Sequence, residues 1–229
     1  MLDTRFPRPV GDIGNANTFD FPVLTEIVPG ASAQRVVRQK GSATIDEFVA
    51  AGRRLIERGA IGITTSCGFL SLFQHQMSQR LPVPVALSSL LQVPWVETLL
   101  PAGKRCGVLT IDADALGPGH LQAAGARADT PIAGLPRGGV LQHAIFADQL
   151  QFDRSAAQHE LVEAARGLCR ACPEVAAVVL ECTNLPPYRN ALRAAIGMPV
   201  FDAGTLIEWF WRGLAPMAGA AANIAESRR

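Results

Sequence analysis

The feature that most constrains this chain is an alternation. Short apolar runs of strand length take turns with longer stretches of helical pattern, from residue 22 to residue 211. Strands joined through helices run parallel, because a parallel neighbour is reached only by a crossover. The pattern predicts strands at 22–28 (PVLTEIV), 60–65 (AIGITT), 82–88, 105–111 (RCGVLTI), 131–135, 175–181 (VAAVVLE) and 199–202. It predicts helices at 44–58, 69–79, near 120–124, at 139–148, 154–170 and 187–196, and from 204 to 211. Thr44 and Glu47 form a capping box for the first helix, and Ile45, Phe48, Val49, Leu55 and Ile56 give its apolar stripe.

The series restarts near Gly103, so the chain reads as two βα series of similar length. The expected fold is α/β, with two pseudo-symmetric lobes, each a parallel sheet covered by helices. Residues 1–97 with 205–229 make the first lobe and 98–204 the second, the chain crossing near Thr98. Met1 and Leu2 read as the end of a first strand, with Asp3 at its carboxyl edge. Two residues are short for a strand, so the natural start is expected upstream. Residues 6–21 carry Gly and Asn turn signals and read as a long loop, of a kind that often serves as a lid. The tail from 216 to 229 is Ala-rich with weak termination signals and reads as partly loose.

Composition narrows the function classes. With 48% hydrophobic and 18% charged residues, the 229-residue chain can bury a sizeable core. The 21 Lys and Arg against 20 Asp and Glu argue against nucleic-acid or membrane-surface binding, which draws on a basic excess. The low charged fraction leaves room for burial against a second copy. Residues 1–11 include Asp3, Arg5 and Arg8 without an apolar run, so no signal peptide is expected. The apolar run 175–180 falls far short of the ~20 residues of a spanning helix. Five cysteines, an odd number, fit a reduced, cytoplasmic compartment better than a disulfide framework.

In parallel sheets, ligands sit beyond the carboxyl ends of strands. Two cysteines stand there. Cys67 lies in Thr65-Ser66-Cys67-Gly68-Phe69 and Cys182 in Glu181-Cys182-Thr183-Asn184, each after a buried strand and before a helix. Free N–H groups at a helix start favour a thiolate. Thiols on facing lobes can flank one small ligand, one removing the proton beside a carboxylate while the other returns a proton on the opposite face. Backbone N–H groups and hydroxyls at the helix starts can hold the carboxylate and the charge that develops on it.

The TTSCGF and ECTN motifs resemble the aspartate/glutamate/hydantoin racemase superfamily. The segment Val108-Leu109-Thr110, followed by Leu121-Gln122-Ala123-Ala124-Gly125, also resembles the start of its second lobe. The resemblance covers nearly the whole chain. It implies two α/β lobes, a site between them and chemistry on small carboxylates without a cofactor or metal. It implies Cys67 and Cys182 as acid and base, Ser66, Gly68, Thr183 and Asn184 around the carboxylate, and Asp3 near an amino group. Glutamate racemases have Asn-Thr after the first cysteine, where Gly68 and Phe69 stand here, and His after Cys-Thr, where Asn184 stands; both departures point away from glutamate. Arylmalonate decarboxylases of the superfamily keep one cysteine, so the presence of two points away from that branch.

The remaining candidates have plainer readings. Cys169 and Cys172 form C-x-x-C without the second pair that a zinc site needs, and Cys106 reads as packing in a strand. His75, His120, His143 and His159 lack metal-like spacing. Trp209, Phe210 and Trp211 read as core or subunit contact. Ser88 and Ser89 read as a helix cap. Arg5 and Arg8 can pair with a substrate carboxylate or stay solvated. The expected function is a cofactor-independent racemase or epimerase of an amino acid or related small carboxylate. The alternatives are a cis-trans isomerase of an unsaturated diacid with Cys67 as nucleophile, and a protein that binds small carboxylates without turnover.

Overall fold

A computed structural model describes residues 1–38 and 45–215. Its strands form two separate parallel sheets. Strands β1 (Ile63–Thr64) and β2 (Val85–Ala86) pair in the first. The second has the order β4-β3-β5-β6, from Arg105–Thr110 (β3), Ile132–Gly134 (β4), Val175–Leu180 (β5) and Val200–Phe201 (β6). The central pair β3 and β5 is almost wholly buried, which is why it reads as continuous Val, Leu and Ala rather than as an alternating pattern. From β3 the chain steps to β4 on one side, then to β5 and β6 on the other. The carboxyl ends of β3 and β5 therefore flank the crevice where such a sheet takes its ligands.

The helices are α1 (Ile45–Glu57), α2 (Gln74–Arg80), α3 (Val93–Leu99), α4 (Pro118–Ala123), α5 (Val140–Phe146), α6 (Arg154–Ala171), α7 (Arg189–Ile196) and α8 (Ala203–Leu214). Asp153 starts α6 by accepting the N–H groups of Ser155 and Ala156. Asp202 and Thr205 start α8 with a capping box. Gly197, at φ +66°, ends α7 in the left-handed conformation that glycine takes without strain. Helix α8 packs on β2, β6 and the turn Ser89–Gln92, so it touches both sheets. Among the described residues no helix is long and apolar enough to cross a membrane.

Several expectations need correcting. Residues 22–28 are not a strand: they run without a partner until Val28, whose bridge with Leu2 is an isolated pair, and Val23, Leu24 and Ile27 are exposed. The helix expected at 69–79 begins as a tight 3₁₀ turn, Gly68–Phe73, and becomes α-helical only at Gln74. The sequence pattern missed α3, whose Pro94 stands in its first turn, where the absent N–H costs nothing. It also missed the π-helical turn Gln34–Arg38. The Thr44 cap and the tail lie outside the described residues.

Candidate active site

Two strand-end turns meet at the seam between the sheets. After β1, Thr65 donates its hydroxyl to the Leu87 carbonyl at 2.8 Å, and Ser66 accepts the Leu2 N–H on Oγ at 2.9 Å. After β5, Thr183 donates its hydroxyl to the Ser66 carbonyl at 2.8 Å, tying one cysteine turn to the other. Ser89 donates to the Leu180 carbonyl at 2.6 Å, and Gln92 to the Asp202 carbonyl at 2.8 Å, which extends the seam. Ser66 Oγ and the Thr183 hydroxyl are thus both engaged with the scaffold. Ser88, as expected, accepts the Leu90 N–H as a cap.

Cys67 and Cys182 are free thiols, buried to 6% and 7% exposure. They lie near enough that a charge on Cys67 opposes ionisation of Cys182. Burial pushes Cys67 up to about 12, and Glu181 pushes the same way; the N–H groups of Phe69 and Leu70 and the Arg8 guanidinium pull it down. Burial pushes Cys182 well above its ordinary value. Glu181, Cys67 and Asp12 add to that push, while the Asn184 N–H opposes it. The Cys182 thiol points at Asn184 Oδ1, 3.5 Å away. Asn184 Nδ2 donates to Asp12 Oδ2 at 2.6 Å, and Arg8 pairs with Asp12 Oδ1 at 2.9 Å. Cys182 is therefore held as a proton donor at the end of a chain of polar groups. Cys67 has backbone donors and a cation beside it, the surroundings of a thiol that ionises first.

Two of three further participants, Asp12 and Glu181, were not singled out from the sequence, whereas Arg8 was read as a partner for a substrate carboxylate and pairs with Asp12 instead. Asp12 and Arg8 sit in the loop 6–21, which turns back on itself through Asp12, Asn15 and Thr18 and lies over the seam. Gly11 lets it pass: its φ is +101°, and a Cβ there would come within 3.0 Å of Pro187 Cα. Arg8 and Asp12, four residues apart with opposite charge, were the available signal. Glu181 is fully buried. Asp3 is exposed, and its Oδ2 accepts the Gly30 N–H at 3.0 Å. The acidic group that reaches Cys182 through Asn184 is Asp12. Gly68 lies against Glu181, and a Cβ there would overlap Glu181 Oε1 and its carbonyl oxygen. Arg5 is exposed and pairs with Asp148.

A cavity of about 850 Å³ opens beside the Cys67 turn, without either thiol in its wall. Leu72 and His120 belong to that wall, and the His120 ring meets Phe69 edge-on at 5.3 Å. Arg38, paired with Asp112, and Arg137, paired with Asp114, supply its charges. Phe146 supplies an aromatic face, over which Arg38 lies at 4.2 Å.

The fold is like that of arylmalonate decarboxylase. A cysteine mutant of arylmalonate decarboxylase in a sulfate-associated form superposes with a TM-score of 0.64 at 18% identity, over 93% of this chain and 91% of that one. A second arylmalonate decarboxylase structure gives 0.58 at 17% identity, over 87% and 84%. No protein-family model matches the chain. Among curated proteins, a dimethylsulfoniopropionate lyase of Durusdinium sp. clade D is 27% identical over 220 residues, covering 93% of this chain and 72% of that protein. Dimethylsulfoniopropionate lyase 3 of Emiliania huxleyi (strain CCMP1516) is 31% identical over 217 residues, covering 89% of this chain. The chain spans 56% of that relative's length.

Proposed function

We propose that this chain is a cofactor-independent enzyme that removes the proton beside a carboxylate with a buried thiolate, and that it is a lyase of the dimethylsulfoniopropionate type. The observation that carries this reading is the unequal setting of two neighbouring thiols: Glu181 raises both, but Cys67 also has two N–H donors and the pull of the Arg8 guanidinium, while Cys182 has Asp12, one N–H donor and a hydrogen-bonded Asn184 side chain. Racemisation asks the two groups to exchange roles as acid and base. Elimination asks for one base. The relatives' names supply the substrate class.

The step balances on that substrate. The Cys67 thiolate takes a proton from the carbon beside the carboxylate. The electron pair of that C–H bond becomes the new C=C bond, and the C–S bond breaks with its pair going to sulfur. Neutral dimethyl sulfide leaves, acrylate remains, and the proton stays on Cys67 until solvent takes it. The leaving group needs no proton, so Cys182 contributes by shaping the site.

Purified protein incubated with dimethylsulfoniopropionate should release dimethyl sulfide, read by gas chromatography, in step with acrylate, read by NMR. No release at any pH overturns the lyase reading. The pairing of two thiols at matching strand ends favours a second reading, racemisation or epimerisation of a small carboxylate. Single enantiomers in deuterated water would then lose optical purity as they gain deuterium at the α-carbon.

A further inference from the structure

We propose that Glu181 is a positioning residue that sets the charge of the thiol pair: while it keeps its proton one thiol can ionise, and when it loses that proton both thiols are held neutral. This rests on the proton-abstraction reading above and adds a residue to it.

The placement carries the argument. Glu181 ends the buried run of β5 one residue before Cys182, and its side chain is fully buried. Instead of reaching solvent it turns to β3, where Thr110 donates its hydroxyl to Oε2 at 2.6 Å. Among the described residues Oε1 has no hydrogen-bond partner. That oxygen lies flush against the Gly68 backbone, next to Cys67, in space that any Cβ at 68 would occupy. The carboxyl thus fills the junction between the two thiol turns. Its main chain is fixed there as well: the N–H donates to the Leu109 carbonyl at 2.8 Å, and the carbonyl accepts Ser89 Oγ at 3.3 Å. A structural role alone would be served by a glutamine or an apolar residue, without burying an ionisable group that has a single partner.

The facing groups define the electrostatics. Cys182 faces it from its own strand end, Cys67 from the turn after β1, Thr110 from β3 and Ser89 from the turn after β2. From the loop 6–21, Asp12 acts on Cys182 and Arg8 on Cys67. A carboxylate at the junction raises both thiols, and only Arg8 among these side chains is a cation. Burial lifts Glu181 to about 8, and the Thr110 hydroxyl pulls it the other way. Most thiol-dependent reactions gain rate as pH rises through the thiol's own titration. Here thiolate formation is opposed above about pH 8, because a second negative charge must enter the same buried space.

The test reads the thiols directly, so it works whatever the substrate proves to be. Wild type, Glu181→Gln and Thr110→Val are treated with a small alkylating reagent from pH 6 to pH 10, and each cysteine is followed by peptide mass spectrometry. Cys106, buried in β3 and raised mainly by its own burial, reports general loosening. In Glu181→Gln, Cys67 and Cys182 should react about tenfold faster at pH 9, one pKa unit's worth of thiolate, with Cys106 unchanged. In Thr110→Val, Glu181 loses the donor that favours its ionised form, so the suppression should begin at higher pH. Equal gains at all three cysteines would mean a loosened fold and would overturn the proposal. Unchanged Cys67 and Cys182 rates would overturn it as well. If dimethyl sulfide release is observed, the alkaline fall in kcat/KM should vanish in Glu181→Gln and move upward in Thr110→Val. If none is observed, the labelling still decides for or against Glu181 while the lyase reading fails alone.

Discussion

The two thiol turns hold equivalent places at strand ends and are built in opposite ways. Cys182 leaves β5, six residues long and paired on both sides. Cys67 leaves β1, two residues long with β2 on one side, and enters a 3₁₀ turn. The charges are opposed too: Arg8 favours the Cys67 thiolate, while Asp12 disfavours a thiolate at Cys182. Equivalent positions in a fold therefore do not make equivalent groups. The Cys182 turn leaves a firmly anchored strand, and the Cys67 turn a more yielding one.

The strongest way to break this comparison is to remove each thiol. Cys67→Ser should lower turnover of the eliminating substrate by about 10³-fold, the range of a lost general base. Cys182→Ser should cost less, and equal losses in steady-state assays would restore the symmetric two-base picture. Packing should differ next. Leu180→Ala, in the centre of the larger sheet, should cost about 2–5 kcal/mol of stability by urea unfolding. Ile63→Ala in β1 should fall at the low end of that range, since β1 borders an apolar groove of about 520 Å³ into which neighbours can relax. Thr183→Val tests the tie between the turns. It leaves the buried Ser66 carbonyl without its hydroxyl donor, at a cost of about 1–3 kcal/mol, and should impair both thiols' reactivity together.

The last test is a slope against pH. Burial keeps Glu181 protonated to about pH 8, whereas its ordinary value is 4.5. Between those values the folded state holds one proton more than the unfolded chain, so stability falls as pH rises, by at most about 1.4 kcal/mol per pH unit. Below 4.5 and above about 8 this contribution is flat. Glu181→Gln removes the slope, so its stability relative to wild type should climb from pH 4.5 to pH 8 and then level off. Parallel curves across that window would show that Glu181 is ionised in the native state.

Buried strands were the most legible part of the sequence. The runs 105–111 and 175–181 are apolar at nearly every position, and a strand covered on both faces leaves that mark. The run 22–28 carries similar residues, but strand propensity describes a fit to neighbours, and no neighbour pairs with it before Val28. Helix α3 was hidden by Pro94, which reads as a breaker unless the helix start is already known. Cys67, Cys182, Ser66, Gly68, Thr183 and Asn184 were visible because strand-end turns announce themselves. The structure brings these together at the seam and ties Asp3 to Gly30 instead. Asp12 and Glu181 escaped because their roles depend on contacts 172 and 71 residues away, with Asn184 and Thr110. Glu181 did leave one trace, an acidic residue directly behind an apolar buried strand.

The loop 6–21 also has a consequence for timing. It is pinned at one end by the N–H groups of Arg5 and Phe6 on Asp148, in its middle by Asp12 on Asn184, and at the far end by Phe21 stacked on Trp211. Each of these hydrogen bonds to a carboxylate is worth about 1.5–3 kcal/mol, and lifting the loop would also expose the buried Phe6 and Ile13. Loop motions of that kind run from microseconds to milliseconds. In the elimination reading proposed above, with both thiols shut away while the loop is down, the interval between openings would set a ceiling on turnover that no improvement in the chemistry could exceed.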